Sequence, residues 1–166
     1  MDLKKAGDFI FLIGETKDEL AGSHLALVQG ENRPSSPPSL PQHALEHYRA
    51  LHQAMRLGLV KACHDLSEGG LGVAAAEMCI GGRRGMTISL GDDDGVVSLY
   101  SESNGRLLVE VAPAQAAAFR QVMVGCPLAE MGVVAGDRLV VSGRANEVLF
   151  GITVADLVTA WQGGAA

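Results

Sequence analysis

The sequence is poor in cysteine: Cys63, Cys79 and Cys126 are far apart, odd in number and form no C-x-x-C pair. A disulfide framework, a structural zinc site and a dithiol redox motif are thereby excluded, and buried free thiols are expected. Positive charge is also short. Thirteen Lys and Arg against nineteen Asp and Glu leave a formal charge of -6, and basic residues run no longer than a pair such as Arg83-Arg84. Nothing here builds the broad basic field that a nucleic-acid backbone requires, so nucleic acid is not an expected partner. The apolar run near the start, Phe9 to Gly14, is too brief for a signal h-region or a membrane span, so no membrane is expected and a cytoplasmic location is. Aromatic residues make up only 4% of a chain that is 48% hydrophobic, so the core must be built from Ala, Val, Leu, Ile and Met. The usual nucleotide signatures are missing too: neither G-x-x-x-x-G-K-[ST] nor G-x-G-x-x-G after a strand occurs. Ser67 lies in no G-x-S-x-G elbow, and the neighbours Cys63 and His64 would point to opposite faces of a strand, so no catalytic nucleophile is expected.

A length of 166 residues fits one domain that buries roughly 70% of its unfolded surface. Phe9 to Gly14 reads as a strand buried on both faces. A short helical turn is expected after it, with Thr16 as cap and Glu19 three residues on. Gly30 to Pro41, with four prolines and three serines, cannot hold regular structure and reads as an exposed connector. Leu45, Tyr48, Leu51, Met55 and Leu59 recur at helical spacing, predicting an amphipathic helix over Gln42 to Leu59 with those residues inward. Val60 to Cys63 reads as a strand, and Leu71 to Ile80 as an Ala-rich helix ended by Gly81-Gly82, with Glu77 at the surface and Met78 in the core. Met86 to Leu90 and Leu107 to Val111 read as strands, and the acidic Asp92 to Asp94 as a solvated turn. Pro113 opens a helix to Val122 with Ala116, Phe119 and Val122 or Met123 inward. Ala129 to Val134 and Arg138 to Ser142 suggest a hairpin through Ala135-Gly136-Asp137. A strand over Val148 to Ile152 and a helix over Thr153 to Trp161 complete an α+β fold, a layered mixed β-sheet flanked by helices.

Two polar clusters carry the chemistry. His64-Asp65-Leu66-Ser67-Glu68-Gly69-Gly70 leads from a strand into a helix, where unpaired amides and the helix dipole favour a phosphate and glycines permit its close approach. Asp65 is the candidate magnesium ligand, and Ser67, Gly69 and Gly70 are the candidate nucleotide contacts, since hard cations take a carboxylate together with phosphate oxygens. The competing reading is an ordinary helix start with Asp65 or Ser67 as N-cap. The second cluster, Ser101 to Arg106, offers Glu102, Ser103, Asn104 and Arg106. Arg106 can fork onto a phosphate or substrate carboxylate, or else pair internally with Glu102 or Glu110.

FIFLIGETKDELAG (Phe9 to Gly22), VKACHDLSEGGLGVAAAEM (Val60 to Met78) and SESNGRLLVEV (Ser101 to Val111) together resemble the last domain of the phosphoribosylformylglycinamidine synthase family. That family lies within the superfamily of aminoimidazole ribonucleotide (AIR) synthase and selenophosphate synthetase. The resemblance implies an AIR synthase C-terminal type of domain forming the last part of a longer synthase. It also implies magnesium and ATP or ADP as cofactors, and as partners the remaining domains, a glutaminase subunit or domain and a small accessory subunit. The family converts formylglycinamide ribonucleotide, ATP and glutamine-derived ammonia to the amidine, ADP and phosphate. Carried over onto this sequence, its magnesium and nucleotide contacts fall on Asp65 and Ser67, and a weaker substrate role falls on Glu102, Ser103 and Asn104. An AIR synthase-like or selenophosphate synthetase-like domain, a stand-alone nucleotide binder and a dimerisation module are the alternatives.

Overall fold

The computed structural model describes residues 1–30, 34–91 and 95–163. Strand β1 (Phe9–Ile13) lies inside the sheet with apolar side chains on both faces. Ile10 and Leu12 join one core, while Phe11 and Ile13 join the other. A period of two on a fully covered strand leaves no place for a polar residue, which is why the run is continuous. β1 pairs antiparallel with β4 (Leu107–Val111) and with β5 (Leu128–Val134). The other strands are β2 (Ala62–Asp65), β3 (Met86–Ser89), β6 (Arg138–Ser142) and β7 (Val148–Thr153). The sheet order is β2-β4-β1-β5-β3-β6-β7. Among the described residues only the β3–β6 pair is parallel, so the sheet is mixed, as expected.

Helices cover both faces. The first core holds α3 (Gly70–Gly82), with α4 (Gly95–Tyr100) and α6 (Val154–Trp161) packed beside it. Ala74 and Ala75 keep α3 close to the strands, and Met78 and Cys79 fill what remains. The second core holds α2 (Ala44–Arg56) and α5 (Ala116–Val122), the latter entered through a 3-10 turn at Pro113–Gln115. Ala116, Phe119 and Met123 face inward as the spacing predicts. Phe119 packs against Phe11 in a tilted pair, 5.2 Å between ring centroids, and its burial contributes about 2–3 kcal/mol.

Several expectations are corrected. Residues 15–20 are not helical; the helix of this region is α1 (His24–Gln29), capped by the Ser23 hydroxyl accepting from the Ala26 amide at 3.3 Å. Along α2 the buried stripe is His47, Leu51 and Ala54, whereas Leu45, Tyr48 and Met55 are exposed. The small Ala54 sets that face, because a close approach to the sheet favours the smallest side chain over the largest. The strand after α2 starts later than expected and carries His64 and Asp65 within it. β5 and β6 form no hairpin, since β3 lies between them, antiparallel to one and parallel to the other. Helix α4, unforeseen, follows the acidic residues Asp92 to Asp94, which lie outside the described residues. All three cysteines are free; Cys79 is buried, and Cys63 and Cys126 are half-buried. Burial pushes the Cys63 and Cys79 thiols up to about 11 and about 12, so both are inert thiols at neutral pH.

Candidate functional site

β1 and β2 both run antiparallel to β4. Ile13 and Asp65, at their carboxyl ends, therefore face the same residue, Leu107, at the start of β4. This register gathers the three sequence blocks, the loop after β1, the turn after β2 and the Ser101–Arg106 loop, at one end of the sheet. The Leu66 amide donates to the Arg106 carbonyl at 3.0 Å, joining two of them. Gly14 joins the third, for a Cβ there would stand 2.7 Å from the Gly105 carbonyl oxygen.

The turn into α3 is capped by neither Asp65 nor Ser67. The cap position is Gly69, at φ +78, and the oxygen comes from Glu102, whose Oε1 accepts from the Gly69 amide at 2.8 Å. The same oxygen accepts from the His24 amide at 2.8 Å, so one carboxylate sits at the N-termini of α3 and α1 together. The anion expected at this helix start is thus supplied from within the protein, where the dipole and unpaired amides favour it. The glycines have an internal explanation as well. A Cβ on Gly70 would lie 2.3 Å from the Ser101 carbonyl and 2.8 Å from that of Leu99, so its missing side chain admits backbone from the neighbouring loop.

What the turn leaves to solvent is side chains. Asp65 is 72% exposed in its side chain, and Ser67 and Glu68 are exposed. Behind Asp65, His64 Nδ1 lies 3.3 Å from its Oδ1, and His64 Nε2 lies 2.8 Å from Glu77 Oε2 on α3. Glu77, read from sequence as a surface residue, is half-buried and steadies the His64 ring. Among the described residues no three His, Cys, Asp or Glu side chains gather closely enough to hold a metal ion. Magnesium fits Asp65 only in the mode that uses one or two carboxylates together with phosphate oxygens and water.

The Ser101–Arg106 loop spends most of its polar groups internally. The Ser101 hydroxyl donates to the Lys17 carbonyl at 2.7 Å, and the Ser103 hydroxyl accepts from the Lys17 amide at 3.1 Å. Arg106, 1% exposed, donates to Thr16 Oγ1 at 2.9 Å and to the carbonyls of Ser103 and Ser101. It pairs with neither Glu102 nor Glu110. Burial pushes its guanidinium down to about 10, opposed by the nearby charge of Glu19, so it remains protonated at neutral pH. Arg106 therefore ties the loop after β1 to the start of β4, with a bond from each of its three nitrogens. Asn104 is exposed and donates through Nδ2 to the Ser39 carbonyl at 3.2 Å. Sequence reasoning missed Glu19, which is 4% exposed and accepts on Oε1 from the Ser39 amide (3.0 Å) and hydroxyl (2.5 Å). Its one visible signal is a carboxylate set directly against Leu20 and Ala21 at the end of a polar stretch.

Residues 5–144 match the family described as AIR synthase related protein, C-terminal domain. The chain belongs to that family. The matched stretch of this AIR synthase C-terminal domain takes in all three motif loops and ends before β7 and α6. The chain is 37% identical over 165 residues to the phosphoribosylformylglycinamidine synthase subunit PurL of Lactobacillus helveticus, covering 98% of this chain and 22% of that protein. It is 40% identical over 140 residues to the Lactobacillus acidophilus subunit of the same name, covering 83% of this chain and 18% of that protein. The chain thus spans about a fifth of the length of these relatives. Among solved structures, Thermotoga maritima PurL complexed with FGAR superposes with a TM-score of 0.77 at 20% identity, over 95% of this chain and 29% of that one. The hydrogenase maturation protein HypE in complex with ATP superposes with 0.57 at 16%, over 93% and 53%. Both likenesses concern the fold.

Proposed function

We propose that this AIR synthase C-terminal domain works as one part of a phosphoribosylformylglycinamidine synthase, the ATP-dependent ligase that converts formylglycinamide ribonucleotide to its amidine. In that reading it contributes Asp65 and Ser67 to a magnesium nucleotide held chiefly by another domain, with a glutaminase and a small accessory subunit as further partners. The observation that carries the reading is the state of the turn after β2. Its Gly69 amide is taken by Glu102, while Asp65 and Ser67 are presented outward on a frame fixed by His64, Glu77 and Arg106. An exposed carboxylate and hydroxyl on a rigid strand end can complete a cation and phosphate shell, but are too few to build one. When bound, magnesium would neutralise phosphate charge and orient the nucleotide; Asp65 would hold it and Ser67 would meet a phosphate oxygen. The identities of 37% and 40% to PurL subunits support the choice of synthase over the rest of the superfamily.

The test is calorimetric titration with magnesium-ADP of this chain beside a longer chain that includes the preceding domain. Binding by the longer chain alone is expected, together with weaker retention in its Asp65→Asn variant. Tight binding by the short chain would make the domain an autonomous nucleotide binder. Unchanged nucleotide retention in the Asp65→Asn variant would remove Asp65 from the site.

A further inference from the structure

A cavity of about 300 Å³ opens between the loop after β1, the prolyl connector and the start of α2, at the lower end of the range for small-molecule sites. Glu15, Lys17 and Glu19 line it from the loop, Ser39 from the connector, His47 from α2, and Asn104 closes one side. Glu19 is the unusual member. It is 4% exposed, and while its Oε1 holds Ser39 by two hydrogen bonds, its Oε2 is buried and meets no donor among the described residues. The buried Arg106 guanidinium lies near enough for its charge to be felt by Glu19, but its hydrogen bonds go to Thr16 and to the Ser101 and Ser103 carbonyls and not to that oxygen. Burial works to raise the Glu19 pKa, but the neighbouring hydroxyls of Ser103 and Ser39 outweigh it and hold the carboxyl below its ordinary 4.5. The group is therefore an anion at neutral pH, and an anionic oxygen buried without a donor is costly.

We propose that this cavity binds a small organic cation, an alkylammonium or amidinium group that pairs with the Glu19 carboxylate in its wall. Buried polar atoms are normally paired, and the missing partner has to be a donor. A bare metal ion is disfavoured, since no three candidate ligands converge among the described residues. An N–H cation needs only one or two acceptors in line, and a charge-assisted pair inside a recess is a strong anchor. Glu15 adds a second carboxylate to the wall, so the carboxylates outnumber the Lys17 ammonium. The inference stands apart from the Asp65 turn and does not depend on its role.

The experiment is an amide-resolved NMR titration of the 166-residue chain with acetamidinium chloride and with propylammonium chloride. Propanol at matched ionic strength serves as the neutral control. Saturable shifts at the Ser39 and Gly105 amides and the Asn104 side chain are expected with both cations and not with propanol. Glu19→Gln should weaken binding about tenfold or more, as loss of a charge-assisted bond requires. His43→Trp supplies a second variant. His43 is an exposed cavity-wall residue that makes no side-chain cap bond, so enlarging it narrows the recess without touching the Glu19 bonds, and it should also weaken binding. If Glu19→Gln fails to fold, His43→Trp decides alone. Shifts that do not saturate, that propanol reproduces, or that persist unchanged in the folded variants overturn the proposal.

Discussion

Replacing Glu102 separates a structural anion from a ligand-binding one. Its Oε1 accepts from the Gly69 and His24 amides, both at 2.8 Å, at the N-termini of two helices. The side chain is 15% exposed, so water does not freely replace it. Truncation in Glu102→Ala leaves two helix-start donors without their oxygen at about 1–2 kcal/mol each, so a loss of about 2–4 kcal/mol is expected. With a urea slope of about 2 kcal/mol/M for a chain this size, the unfolding midpoint should fall by about 1–2 M at unchanged slope. Glu102→Gln keeps an acceptor oxygen and removes only the charge facing two helix dipoles, which is worth about 0.5–1 kcal/mol per helix. Its loss should therefore be smaller than that of the alanine variant. Amide hydrogen exchange locates the effect: protection should fall at Gly69 and His24 before it falls in β1. A midpoint unmoved by Glu102→Ala, or equal losses in the two variants, would refute the capping role. Glu102 would then be free to serve a ligand.

Gly70→Ala should cost more than about 3 kcal/mol or leave no soluble protein, because it adds left-handed backbone strain at φ +61 to a Cβ clash with two carbonyls. Gly22→Ala, at φ +73 with open space around it, should cost only about 1–2 kcal/mol; thermal unfolding of the pair separates the clash from the strain. Glu110, fully buried on β4 and accepting from the Lys4 and Lys5 amides, has its pKa raised, with burial as the largest cause and Asp8 acting in the same direction. A raised folded pKa means that the stabilisation is complete below the ordinary 4.5 and is lost as pH rises through the folded value. Wild-type stability should therefore decline relative to Glu110→Gln as pH is raised from 4 through that window, in urea unfolding followed at stepped pH. A difference that stays flat across it would rule out the buried-carboxyl account.

Much of the architecture was legible where local pattern and tertiary demand coincide. β4 occupies the predicted Leu107 to Val111, and β1 matches its apolar run because a strand covered on both faces has no other way to be written. The β5–β6 connection misled because a three-residue glycine turn between strands looks the same whether the strands pair or pass on either side of a third. Here the Ala135 amide bonds to the Gly85 carbonyl and the Val154 amide to the Asp137 carbonyl, so the turn is stitched to β3 and β7 ends. α1 and α4, six residues each, are too short to show a helical period. In α2 a small residue and a histidine took the inner face from larger apolar side chains, which periodicity weighted by hydrophobicity cannot foresee. At the site, residue types were legible but allegiance was not. Nothing local to Glu102 reveals that its partner amide lies 33 residues earlier in the chain.

That allegiance changes what the glycine turn means. A strand–turn–helix rich in glycine suggests a cradle of amides for a phosphate, yet here the cradle holds a carboxylate of the same domain and the glycines admit backbone. An incoming phosphate would have to displace Glu102 from two amides at once and then face its charge, whereas a cation with its phosphate can approach the exposed Asp65 and Ser67 without displacing Glu102. The division of labour follows from this geometry. Glu102, Arg106, His64 and Glu77 hold the turn, and Asp65 and Ser67 are the groups it offers outward. With one carboxylate and one hydroxyl on offer, the turn is too small to hold a magnesium nucleotide alone; under the proposed reading the remaining ligands come from water, from the nucleotide and from another domain, which is why the longer chain, and not the short one, is expected to bind.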